Sequence, residues 1–82
     1  MGLTNKQIEE YLKKEKDFIY KTAVNSLFKE MKKYQSMLRY LKTRDTYRKI
    51  VLECFEDDIK ELRTKIEKII NIQIKHKEKN NE

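Results

Sequence analysis

Residues 24–41 read VNSLFKEMKKYQSMLRYL. Val24, Leu27, Met31, Tyr34, Leu38 and Leu41 stand three or four apart along it. That is the spacing with which a helix lays one apolar seam against a neighbour, whereas a half-buried strand alternates every second residue. The chain contains no proline, and Gly2 is its one glycine, so nothing in this stretch interrupts a helix. The seam decides the fold class: all-α, with coiled-coil-like packing.

Downstream, the stripe lapses across Thr43, Arg44, Asp45 and Thr46, where Thr43 and Asp45 are candidate helix caps. It resumes with Leu52, Phe55, Ile59, Leu62, Ile66 and Ile69. The phase runs on through Asp45 and Arg48, so a single rod is conceivable. An antiparallel helical hairpin is preferred, because two polar residues in successive seam positions weaken a rod and a hairpin lets one chain bury its own stripe. The stretch IINIQIK, residues 69–75, alternates like a strand. The helical period before it, and the lack of a second strand to pair with, favour helix.

Upstream, Thr4 and Gln7 form a capping box, with Leu3 and Ile8 at the positions of a hydrophobic staple. Ile8, Leu12, Ile19, Ala23 and Leu27 continue as one slowly drifting face, with a stutter through Ile19, Ala23 and Leu27. The charged run Lys13, Lys14, Glu15, Lys16, Asp17 offers a break, with Asp17 as a second N-cap. No glycine or proline enforces it, so one long first helix is expected. The organisation read from the sequence is a single helical domain over 1–78. It comprises a helix over about 5–42, a turn over about 43–46, a helix over about 47–76, and a frayed polar tail at 79–82. Pairs with the acid four residues before the base, such as Glu9–Lys13, Glu56–Lys60 and Glu61–Lys65, support helix.

A chain of 82 residues and 10.1 kDa has room for only a small core. Tyr11, Phe18, Phe28, Met37 and Tyr40 fall off the tightest seam. A homodimer, forming an antiparallel four-helix bundle, is therefore expected. The residues assigned to self-association are Leu27, Met31, Tyr34 and Leu38 with Phe55, Ile59, Leu62 and Ile66.

The chemistry available is narrow. Cys54 and His76 are the only cysteine and histidine. They lie about 33 Å apart at helical rise, too far for a nucleophile pair within one helix. Cys54 reads as a small, partly buried residue and His76 as part of the polar tail. No paired metal-ligand spacing or glycine-rich phosphate loop is present, so no enzyme activity, no cofactor and no small-molecule substrate are expected. Glu53, Glu56, Asp57, Asp58 and Glu61 read as a solvated helix face. Apolar runs are too short for a transmembrane segment, no secretory signal opens the chain, and a lone cysteine suits a reducing, cytoplasmic setting.

Charge is the remaining signal. The chain carries 20 Lys and Arg against 14 Asp and Glu, a formal +6. The excess concentrates between Phe18 and Lys49, where Lys21, Lys29, Lys32, Lys33, Arg39, Lys42, Arg44, Arg48 and Lys49 face only Glu30 and Asp45. Three of the four arginines cluster at the expected hairpin tip, with Tyr40 and Tyr47 beside them. Arginine forks suit phosphate or carboxylate oxygens, and tyrosine stacks on bases. An ordinary solvated basic face is the plainer account of so lysine-rich a segment. The expected role is a non-catalytic regulatory or adaptor protein. It would bind an acidic protein partner through helix faces and a basic tip made of Arg39, Lys42, Arg44, Arg48 and Lys49. The alternative is that the same tip contacts nucleic-acid phosphates.

Overall fold

The computed structural model describes residues 2–43 and 49–80, the last four of these as backbone only. Among them are three helices: α1, Asn5–Lys14; α2, Phe18–Lys42; and α3, Lys49–Asn80. No strand occurs among the described residues. α2 and α3 lie side by side and antiparallel. Leu27 shares a hollow with Leu62, the Tyr34 ring packs tilted against Phe55 with centroids 5.7 Å apart, and Lys42 pairs with Glu56 at 3.9 Å. The hairpin therefore stands, and the stretch 69–75 is helical.

The single helix expected over 5–42 is instead broken at residues 15–17, and α1 folds back along α2. Asn5 reaches Gln35, and Glu9 lies 4.0 Å from Lys32, so the two helices run antiparallel. The break is held by its own side chains. Glu15 is extended (φ −74°, ψ 127°), and its carboxylate accepts the backbone N–H of Lys16 at 3.1 Å and of Asp17 at 3.0 Å. Asp17 then caps α2, accepting from Ile19 and Tyr20. These contacts satisfy N–H groups that a helix start leaves open. At the other end of α1 the capping box forms as the sequence implies: the Gln7 N–H donates to the Thr4 hydroxyl, and the Thr4 N–H donates to the Gln7 side chain.

The reason for folding back is burial. Ten residues make too short a helix to persist alone in water. Docked in the groove between α2 and α3, α1 contributes Ile8, which has no exposed surface. Ile8 joins Val24, Phe28 and Met31 of α2 and Leu62, Ile66 and Ile70 of α3 in one core, with Leu3, Tyr11 and Leu12 packed against it. The Tyr11 hydroxyl donates to Gln73, which is itself buried, and the Leu3 N–H donates to Glu67 at 2.7 Å. α1 begins at Asn5, beside Gln35, so the hairpin extends past it toward residues 43 and 49. The molecule is accordingly long and thin, 56 × 19 × 18 Å.

Three other expectations need correction, and a fourth lies mostly outside the described residues. Ile19, counted on the apolar face, is 76% exposed, because the break rotates the start of α2 relative to α1. Cys54 is exposed rather than partly buried. The last helix runs on to Asn80, past the expected end at 76, so residues 79 and 80 are helical. Of the expected turn over 43–46, Thr43 alone is described, and residues 44–48 lie outside the described residues.

Candidate functional site

The basic end of the hairpin is built by the last turn of α2 and the start of α3. Arg39 and Lys42 stand in the last turn of α2, both exposed, where cations suit the negative end of the helix dipole. The Thr43 hydroxyl closes that turn by donating to the Tyr40 carbonyl at 2.7 Å. Lys49 opens α3 at the same end and is exposed. Arg44 and Arg48, and with them Tyr47, lie outside the described residues. The structure thus places three of the five basic residues at one end of the molecule.

Lys42 is in part engaged, since its ammonium lies 3.9 Å from the Glu56 carboxylate, with both side chains about half exposed. An exposed pair of this length contributes little to stability and is readily exchanged for another acidic partner. Arg39 and Lys42 share a notch of about 350 Å³ with Leu38, Gln35 and Asn5. Asn5 comes from the start of α1, and its side chain bonds Gln35 at 2.8 Å and accepts from Arg63 at 3.4 Å. Reading α1 as the beginning of α2 puts Asn5 far from this notch, so the sequence analysis misses it. The signal that would have found it is Asp17 read as a second N-cap.

On the outer side of the same α2 turns, Lys33, Ser36, Met37 and Tyr40 line a shallow apolar surface. Met37 is 43% and Tyr40 52% exposed. An aromatic ring and a thioether therefore stand next to the arginine-bearing edge, the combination that stacks on a flat ligand group.

The residues assigned to self-association fall into two groups by burial. Met31, Leu62 and Ile66 are buried inside one chain, where α2 meets α3. Leu27, Tyr34, Leu38, Phe55 and Ile59 are only partly covered. The Tyr34 hydroxyl donates to Glu30 at 3.2 Å, and that hydrogen bond, with the nearby Glu30 charge, raises the Tyr34 pKa above its ordinary value. A single chain therefore closes most of the seam on itself, and only its outer edge remains open.

Elsewhere three acidic residues pair with lysines on neighbouring turns or helices. Glu61 pairs with Lys65 at 3.5 Å, as the spacing implies, while Glu9 and Glu56 turn to lysines of α2. Among the described residues, no three of the His, Cys, Asp and Glu side chains gather in a way that could hold a metal ion. None of the described helices is long and apolar enough to cross a membrane. Compared with protein-family models, with curated proteins and with solved structures, the chain matches none of them.

Proposed function

We propose that this chain is a non-catalytic helical binding protein, a small regulatory or adaptor module that works in the cytoplasm. It self-associates and engages an acidic macromolecule through its basic end. The observation that carries this reading is the segregation of charge along α2. Its cations Lys21, Lys29, Lys32, Lys33, Arg39 and Lys42 stand against Glu30 alone, and Arg39 and Lys42 are exposed in its last turn, beside the start of α1. A one-sided field of this kind steers an acidic partner into contact. The partner in the leading reading is a carboxylate-bearing protein surface, met by Arg39, Lys42 and Lys49 together with Arg44 and Arg48.

Nucleic-acid phosphate is the second reading. It draws on exposed Tyr40 and Met37 lying on the turns that carry Arg39. Titration of the parent against labelled duplex DNA, RNA and an acidic protein at two salt concentrations separates the two. Phosphate binding falls with a logarithmic salt slope of about −0.9 per duplex phosphate neutralised. Replacing Arg39, Arg44 and Arg48 by lysine keeps the charge and removes the planar fork, so specific binding should weaken. Equal affinity of parent and triple variant for every ligand would refute a specific arginine site.

A further inference from the structure

The side of the α2–α3 pair away from α1 carries exposed apolar groups toward both of its ends. On α2, Ile19 and Met37 stand about five turns apart and so point the same way. On α3, Cys54 and Ile72 repeat that separation, with Ile50 a turn further toward the basic end. Ile19 is 76%, Met37 43%, Ile50 68% and Ile72 60% exposed. Between these ends lies a hollow of about 210 Å³ floored by Leu27, Tyr34 and Leu62. Three acids line it: Glu30 accepts from the Tyr34 hydroxyl, Glu61 pairs with Lys65, and Asp58 stands at its rim.

We infer that a second copy of the chain covers this face, turned end for end. The inference rests on the self-association within the reading above and not on the basic tip. Two observations select the occupant. The first is area: the chain exposes 6753 Å². A compact monomer of 10.1 kDa exposes about 5300 Å². The excess, about 1400 Å², reflects the 56 × 19 × 18 Å shape and leaves room for the ~800 Å² that each partner gives up in a standard interface.

The second observation is self-complementarity, which an isologous interface requires. The exposed apolar groups lie toward both ends of the face, so the ends match one another when it is reversed, while Glu61 falls at the axis, where its pairing with Lys65 offsets the charge. On α3 the charges also invert about Glu61, with Asp57 toward the basic end and Lys65 the same distance beyond. Reversal about Glu61 sets Ile50 opposite Ile72 of the second copy and Asp57 opposite its Lys65. It also sets Ile19 opposite Met37 of the second copy, and it leaves Arg39 and Lys42 of the two chains at opposite ends of the dimer.

The test is sedimentation equilibrium of the full chain and its variants across a concentration series, with helicity measured alongside. The parent is expected to dimerise. Ile72→Glu and Met37→Glu change exposed positions, so helicity should hold while the dissociation constant rises about tenfold or more. Asp57→Lys and Lys65→Glu should each weaken the dimer about fivefold, and the double variant should restore it. A parent that stays monomeric overturns this inference and the self-association together. A dimer indifferent to Ile72→Glu and Met37→Glu leaves self-association standing and overturns this face. A double variant no tighter than its singles overturns the end-for-end arrangement.

Discussion

Replacing Ile8 by alanine tests whether α1 is a docked helix or the first turns of a long one. Ile8 is fully buried in the groove between α2 and α3. The substitution removes three carbons, about 2.4 kcal/mol at 0.8 kcal/mol per buried methylene. Any cavity left behind adds to that, within the usual 2–5 kcal/mol for a buried Ile to Ala. A ten-residue helix holds almost no structure by itself, so Ile8 accounts for much of what keeps α1 in place. The loss should therefore be local. Amide hydrogen exchange should show α1 protection collapsing toward the unfolded rate, while the centres of α2 and α3 keep most of theirs. The Leu3 N–H, which donates to Glu67, and the Tyr11–Gln73 bond should go with it. In a helix continuous over 5–42, Ile8 would lie far along an extended arm and its truncation would change little. Unchanged exchange in α1, or equal loss across all three helices, would refute the docking argument.

Other outcomes follow from the same contacts. Asp17→Ala removes the side chain that accepts from Ile19 and Tyr20 and should cost about 0.5–2 kcal/mol, while Asp17→Asn keeps most of the cap; thermal unfolding of the two variants checks this. Tyr11 has its pKa pushed up to about 12, first by burial and then by the neighbouring Glu15 carboxylate. Because the folded value lies above the ordinary 10, the neutral phenol stabilises the fold fully below pH 10, and that contribution is lost as pH rises toward 12. Denaturant midpoints should fall across that window in the parent and fall less in Tyr11→Phe. At Gly2, an added Cβ would meet the Glu67 carboxylate at 2.8 Å and Arg63 at 3.1 Å. Gly2→Ala should therefore displace Glu67 and deprotect the Leu3 amide with little change in global stability, as hydrogen exchange would report.

How much of this was legible in the sequence depends on where each residue finds its partner. The pairing of α2 with α3 was legible because both seams are long and regular, and Val24, Met31, Leu62 and Ile66 enter the core as their spacing implies. The Thr4–Gln7 box was legible because it is local: both partners lie within one turn. The break at 15–17 was not, because Lys13 to Asp17 is as good a helix former as a corner. What tips it is Ile8 finding a groove made by residues some 16 to 62 positions away in sequence, and Glu15 catching the N–H groups that the break exposes. The same corner changes the candidate site. It brings Asn5 beside Arg39 and Lys42, and it confines α1 to one side of the hairpin. Seam residues assigned to a partner, Met31 and Ile66 above all, are thereby enclosed within the chain. The apolar groups left uncovered include Ile19 beside the corner and Ile72 on the face that α1 does not reach. A short helix that folds back thus decides both which surface is consumed in folding and which surface remains for a partner.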